Sequence, residues 1–119
     1  METKNIILTE EHRGGGKSTS FSGRPEGESV RVLLNLDEKD NDEDNYKIVI
    51  PAGTTAFNPS FFLGLLYKSI NHLGLRKFST KYNFDYNLLS GILKELIEND
   101  IIEGMRTASN EINLSTGLD

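Results

Sequence analysis

Residues 46–70, YKIVIPAGTTAFNPSFFLGLLYKSI, decide the fold because they join a buried strand to an amphipathic helix. The apolar run that ends at Ile50 predicts the strand. The proline and glycine that follow break it, and Asn58 before Pro59 is typical of a helix start, with the asparagine as N-cap. We expect the helix to end at Gly74 and to bury residues at helical spacing, namely Phe62, Leu65, Leu66, Ser69, Ile70 and Leu73.

Strands and helices alternate on both sides of this stretch. KNIILT, residues 4–9, predicts a first strand, and residues 25–36 predict a short amphipathic helix. Residues 76–84 predict a third strand, because Phe78, Thr80, Tyr82 and Phe84 alternate with polar residues.

Two helical patterns complete the chain, one formed by Leu88, Leu89, Ile92, Leu93, Leu96 and Ile97, the other by Ile101, Met105, Ala108 and Ile112. A break is expected near Asn99, and residues 113–119 are expected to form a frayed tail. The predicted order is strand, helix, strand, helix, strand, helix, helix. This order indicates a single α/β domain over residues 1–119, with a small sheet flanked by helices.

Composition excludes several classes of function. The chain has 119 residues, which suits one domain, and its net charge of −5 argues against a general nucleic-acid binder. It has no cysteine, so it has neither disulfides nor thiolate metal sites. Because no apolar segment approaches the roughly 20 residues that span a bilayer, we expect a soluble, cytoplasmic protein without a membrane partner.

The stretch HRGGGKST, residues 12–19, resembles the end of a phosphate-binding loop. That motif needs a glycine where this chain has Glu11, and the residues after Lys17 do not suit the start of a helix. We therefore expect residues 10–24 to be a flexible glycine-rich loop, and nucleotide binding by residues 14–18 is the less favoured alternative. The loop would offer a partner's phosphate or acidic surface four residues, Arg13, Gly16, Lys17 and Arg24.

Residues 37–45, DEKDNDEDN, are strongly acidic, but they do not fit a calcium-binding loop. Counted from Asp37, the sixth position is Asp42 instead of glycine and the twelfth is Ile48 instead of glutamate. A solvated acidic loop is expected. Neither His12 nor His72 stands in a known order with a serine and a carboxylate, so we expect no catalysis, metal or other cofactor.

Two segments together resemble a known family. SGRPEGESVRVLL, residues 22–34, places an Arg-x-x-Gly element before Val-Arg on a helix, and residues 46–70 add the strand, the turn and the Pro-Ser-Phe helix start. The pairing resembles the STAS-like domains of unknown function, relatives of the sulphate-transporter and anti-sigma-factor-antagonist domains. The resemblance covers about residues 20–100, and it implies a sheet flanked by helices.

The resemblance also implies a partner and a switch. In the anti-sigma-factor antagonists, a serine at the start of the helix after a central strand is phosphorylated by a histidine-kinase-like ATPase, and phosphorylation breaks the complex. The matching position here is Ser60, although residues 58–61, NPSF, stand where the family has Asp-Ser-Ser/Thr-Gly. Ser60 as an ordinary helix-start serine is the alternative.

We expect a regulatory protein to bind this helix start through five residues, Phe57, Asn58, Phe61, Tyr67 and Lys68. Phe61 is expected to be exposed beside Ser60, whereas Phe62 keeps the rhythm of the core. The acidic run leaves a second hypothesis open. In it, the chain is a mobile-element or phage-type inhibitor that blocks a nucleic-acid-binding or defence protein through Asp40, Asp42 and Asp44.

Overall fold

A computed structural model describes residues 2–15 and 17–115. The strands are β1 (Thr3–Ile7), β2 (Ser20–Phe21), β3 (Asn45–Val49), β4 (Ala56–Phe57) and β5 (Tyr82–Asp85). The helices are α1 (Arg24–Leu33), α2 (Leu36–Lys39), α3 (Pro59–Leu73), α4 (Leu75–Lys81) and α5 (Gly91–Ser115), and a 3-10 turn spans Glu10–Arg13. Within the described residues, no helix has the length and apolar character that crossing a bilayer requires.

The main sheet has three parallel strands in the order β1-β3-β5, with Ile6, Ile48 and Phe84 in register. Ile6, Ile48 and their neighbours on the same face are buried against the helices. On the opposite face, Lys47 of the central strand is exposed. The predicted fold class, α/β with a small sheet flanked by helices, is confirmed.

A second sheet pairs β2 with β4 in parallel, and each of these short strands leads directly into a long helix. The two helices, α1 and α3, touch backbone to backbone at two glycines. A Cβ atom on Gly64 would lie 2.0 Å from the carbonyl oxygen of Arg24, and one on Gly27 would lie 2.3 Å from that of Phe61. Only glycine therefore allows this close approach.

The aromatic core lies where β2 and β4 enter these helices. The ring of Phe61 lies 5.1 Å from that of Phe21 and 5.3 Å from that of Phe57, and all three side chains are fully buried. Phe62 is also buried, which confirms its predicted place in the core. The expectation that Phe61 is exposed was wrong, because α3 packs against α1 and the Phe61 ring lies against Phe21 and Phe57 of the second sheet.

Helix α3 matches its prediction closely. It begins at Pro59 with Asn58 as N-cap, and Gly74 ends it at a φ of 82°. The predicted strand over residues 76–84 was right only for residues 82–84, because residues 75–81 form α4 and β5 begins at Tyr82. The apparent alternation arose because Phe78 and Tyr82 are also four residues apart, which is the spacing of one helical face.

The helical patterns at both ends of the chain also differ from prediction. Helix α1 ends at Leu33 instead of residue 36, because Asn35 adopts a φ of 58° that lies outside the helical region. Residues 91–115 form one continuous helix without the break expected near Asn99. The carboxylate of Asp100 instead accepts the backbone N–H of Phe57 at 2.9 Å. Of the expected tail, residues 113–115 are helical, and residues 116–119 lie outside the described residues.

Candidate interaction site at the paired helix starts

The parallel pairing of β2 with β4 brings the starts of α1 and α3 side by side. Two hydrogen bonds join them: Asn58 Nδ2 donates to Ser22 Oγ at 2.7 Å, and the backbone N–H of Gly23 donates to Ser60 Oγ at 3.2 Å. Ser22 and Ser60 are exposed. We call this surface, made of Ser22, Gly23, Arg24, Asn58 and Ser60, the paired helix starts.

The paired helix starts carry partial positive charge. The first N–H groups of a helix have no partner within it, and the helix dipole adds to their charge. Ser60 is the second residue of α3, after Pro59, which has no N–H. Because Gly23 is the N-cap of α1, the Ser60 hydroxyl lies at the start of both helices.

Two more residues of the predicted binding set, Tyr67 and Lys68, lie further along α3. The guanidinium of Arg24 lies 5.3 Å from the ring centroid of Tyr67, and its Nη1 donates to the Glu111 carboxylate at 3.2 Å. Tyr67 is half-buried and Lys68 is exposed. Both line a groove of about 740 Å³ between α1 and α3, together with Arg24.

The structure removes Phe57 and Phe61 from the predicted binding set. Both side chains are fully buried in the aromatic core described above and offer a partner no surface. The structure therefore brings Asn58, Ser60 and Arg24 together and leaves Tyr67 and Lys68 on the adjoining groove.

The glycine-rich loop is tied to the turn after β3 by Arg13. Its guanidinium donates to the Ser18 carbonyl at 2.7 Å, to Thr54 Oγ1 at 2.9 Å and to the Ala52 carbonyl at 3.3 Å. Arg13 is buried, so the prediction that it contacts a partner was wrong. Of the other residues proposed there, Lys17 is exposed and Gly16 lies outside the described residues.

The loop region also contains regular structure. Residues 10–13 form the 3-10 turn, and residues 20–21 form β2. The expectation that no helix begins at Lys17 is confirmed, because Lys17 lies in a turn and the chain enters β2 at Ser20. The described residues on either side of Gly16 therefore do not have the strand–loop–helix arrangement of a phosphate-binding loop.

The acidic run is bound at its start by a buried arginine that sequence analysis missed. Residues 36–39 form α2, and Arg31 Nη2 donates to Asp37 and to Asp40, each at 2.8 Å. Asp40 in turn accepts hydrogen bonds from Ser69 Oγ and Tyr82 Oη, both at 2.7 Å. Burial and the hydrogen bond to Asp40 raise the pKa of Tyr82. The only sequence signal was the arginine in the apolar VRVLL pattern.

Lysines bind the second half of the run. Lys81 Nζ donates to Asp42 Oδ1 at 2.8 Å and to the Asp44 carbonyl at 2.7 Å, and Lys4 pairs with the Asp44 carboxylate at 2.7 Å. Burial opposes ionisation of Asp42, but hydrogen bonds from Lys81 and Tyr46 outweigh it and lower its pKa to about 2. The chain's own cations thus neutralise most of the run.

Each histidine ring has a hydrogen-bond partner that orients it. His12 Nδ1 accepts the backbone N–H of Thr9 at 3.0 Å, and burial lowers the pKa of His12. His72 is exposed, and its Nε2 lies 3.0 Å from the amide oxygen of Asn41.

Comparison with protein-family models, with curated proteins and with solved structures found no match. The resemblance to the STAS-like domains therefore stays a prediction.

Proposed function

We propose that the protein is a non-catalytic regulatory domain of STAS-like type, which binds a partner protein through the paired helix starts and the adjoining groove. Ser60 is the regulatory residue of this surface. The observation that carries the proposal is the exposed Ser60 hydroxyl, which the Gly23 N–H reaches across from the start of α1.

The position of Ser60 suits modification. A phosphoryl group on its Oγ would add about two negative charges at the start of both helices, where negative charge is stabilised. Because Ser60 is exposed, the group needs no space in the core. The fold would survive, and the charge of the surface offered to the partner would change from positive to negative.

The partner class comes from the resemblance, which implies a histidine-kinase-like ATPase that both binds the helix start and phosphorylates it. In this proposal, Tyr67 and Lys68 extend the contact along the groove. Phosphate on Ser60 would release the partner by placing charge against an apolar or acidic surface.

A pull-down from the native host tests the proposal, with wild type and Ser60→Asp as baits and identification of bound proteins and phosphosites by mass spectrometry. We expect wild type to capture a nucleotide-binding regulatory protein that Ser60→Asp fails to capture. Ser79→Asp is the matched control, because Ser79 is exposed on α4 and outside the proposed surface.

Equal capture by wild type and Ser60→Asp would assign Ser60 to ordinary helix capping. Loss with both aspartate variants would indicate a general effect of charge. Incubation of the purified partner with ATP and the wild-type chain should then place phosphate on Ser60, and a Ser60→Ala chain should stay unmodified.

The inhibitor hypothesis is the second candidate, and the structure weakens its motivation. It needs Asp40, Asp42 and Asp44 free to bind a basic partner, but Asp40 is buried and the other two are paired with lysines. Partner binding that disappears in high salt and on neutralising Asp42 and Asp44 would favour it over the Ser60 surface.

A further inference from the structure

The buried guanidinium of Arg31 is held in place from inside the fold. Its Nη1 donates to the Leu65 carbonyl at 2.9 Å and to Ser69 Oγ at 2.8 Å, and its Nη2 donates to Asp40 at 2.8 Å. Because all three bonds are buried, they fix the position and the plane of the guanidinium. The edge formed by Nε and the second N–H of Nη2 is bound differently, by Asp37.

Asp37 covers this edge with one oxygen. Its Oδ1 accepts from Nε at 3.0 Å and from Nη2 at 2.8 Å. The strongest carboxylate–arginine pairs place one oxygen on each N–H, in two parallel hydrogen bonds. The Asp37 side chain is also 77% exposed, whereas that of Arg31 is 6% exposed. Asp37 can therefore leave Arg31 by a side-chain rotation into solvent, without moving a buried group.

A second cation lies beside the same edge. Lys68, Arg31 and Asp37 all line the groove between α1 and α3, and the same three residues line an adjoining cavity of about 230 Å³. The hydrogen bond from Arg31 is the main cause that lowers the pKa of Asp37, and the charge of Lys68 lowers it further. Lys68 is exposed and, among the residues that the structure describes, has no carboxylate within ion-pair distance.

Two other carboxylates lie near this edge. Asp40 is buried and fixed by Ser69 and Tyr82 as well as by Arg31. Glu28 lies one helical turn before Arg31 and lines the groove, but it is exposed and so can turn towards solvent. When Asp37 also turns away, two cations, Arg31 and Lys68, face one fixed anion, Asp40. The remaining charge favours an incoming anion.

We propose that Arg31 and Lys68 form a carboxylate-binding site, which Asp37 fills in the free chain and an acidic side chain of the partner fills in the complex. The incoming carboxylate places one oxygen on Nε and the other on Nη2, and Lys68 pairs with it. Val32 and Leu63 line the same groove, so the site suits an acidic residue with aliphatic neighbours. That the ligand belongs to a partner rests on the proposed function, whereas the site itself does not depend on Ser60.

The first test titrates the nitrogen-15-labelled full chain with sodium acetate at neutral pH and constant ionic strength. The NMR signal of the Arg31 Nε–H reports binding at the edge itself. We expect Asp37→Ala to bind acetate about fivefold more tightly than wild type, since it removes an exposed ion pair that competes for this edge. The matched control is Glu38→Ala, because Glu38 is an exposed carboxylate on the same helix that binds Asn35 instead of Arg31.

A further variant and three peptides test the second cation and the ligand. Lys68→Met, added to Asp37→Ala, should weaken acetate binding about threefold, whereas Arg31 is left intact because its buried bonds hold the fold. The peptides carry glutamate, glutamine or phosphoserine between two pairs of leucines, with both ends capped. We expect the glutamate peptide to bind more tightly than acetate, because its leucines cover the groove, and the glutamine peptide to lose this binding.

The proposal is overturned if Asp37→Ala binds acetate no more tightly than wild type, or if Glu38→Ala gains as much. Unchanged binding in the variant with Lys68→Met would remove Lys68 from the site. Equal binding of the glutamate and glutamine peptides would exclude a carboxylate ligand, and phosphoserine binding more than about tenfold tighter would assign the site to a phosphorylated one. Ser60→Asp should bind acetate as wild type does, so failure of this site and failure of the Ser60 switch are separate results.

Discussion

The acidic run contains two environments, because Asp40 is buried while the other carboxylates with ion-pair partners, Asp37, Asp42 and Asp44, are at least partly exposed. At its start, Asp37 and Asp40 bind the same arginine, Arg31, yet the Asp40 side chain is 3% exposed and that of Asp37 is 77% exposed. In its second half, Asp42 binds the buried Lys81 and Asp44 binds the exposed Lys4, and the two carboxylate side chains are 35% and 23% exposed.

This difference shows that burial, and not residue type, determines how much a carboxylate contributes to the stability of the fold. A buried charge has lost its water, so it depends on each partner that replaces the water, whereas an exposed one can exchange its partner for solvent. Asp40 has three such partners in Arg31, Ser69 and Tyr82. Three substitution experiments follow from this contrast.

The largest effect is expected from Asp40→Asn. The substitution keeps the shape but removes the charge, so the buried Arg31 guanidinium loses its buried counter-ion and keeps only the exposed Asp37. We expect a loss of about 3–5 kcal/mol in the free energy of unfolding, measured by urea denaturation. Asp37→Asn is the matched control, because it removes an exposed carboxylate from the same arginine.

Equal destabilisation by Asp37→Asn and Asp40→Asn would contradict the comparison, because burial would then not distinguish the two carboxylates. Near-wild-type stability of Asp40→Asn would mean that Arg31 reaches solvent or another acceptor. The m-value should stay unchanged in both variants, since neither changes the surface exposed on unfolding.

The sequence predicted the fold best where local and tertiary signals agree. Around α3, the N-cap Asn58, the proline, the apolar rhythm and Gly74 all indicate one helix, and the structure has it. Residues 76–84 carry two patterns at once, since Phe78 and Tyr82 fit a strand face and a helix face equally. Only packing against the rest of the molecule separates these two readings.

Less of the candidate site could be predicted from the sequence. The position of Ser60 at a helix start followed from local signals, but its bond to Gly23 spans 37 residues and depends on the pairing of β2 with β4. The burial of Phe61 depends on Gly27 and Gly64, which let α1 approach α3. No periodicity within one segment contains such information.

A smaller effect is expected from Lys81→Met. The Lys81 ammonium donates three hydrogen bonds to the acidic run, and the methionine keeps the apolar stem without the charge. We expect a loss of about 2 kcal/mol in the free energy of unfolding, since hydrogen bonds to a charged donor are replaced only in part by water. Lys4→Met is the control, and its exposed pair with Asp44 should contribute nothing resolvable. A Lys4→Met loss as large as that of Lys81→Met would refute this ranking.

The smallest effect is expected at low pH, and it concerns the contribution of Asp42 to stability. The pKa of Asp42 is lowered to about 2 in the folded chain, whereas an unfolded aspartate titrates near about 3.9. Its stabilising contribution is therefore fully present above about pH 4–5 and is lost as the pH falls towards about 2. Hydrogen bonds from Lys4 and Arg31 lower the pKa of Asp44 and of Asp37 as well, so these groups act in the same direction.

Urea denaturation of wild type and Lys81→Met between pH 6 and pH 2.5 isolates the Asp42 contribution, because most other carboxylates titrate alike in both chains. We expect the stability difference to be constant down to about pH 4 and to shrink below it, because the unfolded chain takes up a proton on Asp42 at a higher pH than folded wild type does. A difference that stays constant to pH 2.5 would show that Lys81 acts only through the carbonyl oxygens of Asp42 and Asp44, which do not titrate. A stability difference that grows as the pH falls would be opposite to the expected trend, and it would exclude the Lys81–Asp42 ion pair as a source of stability.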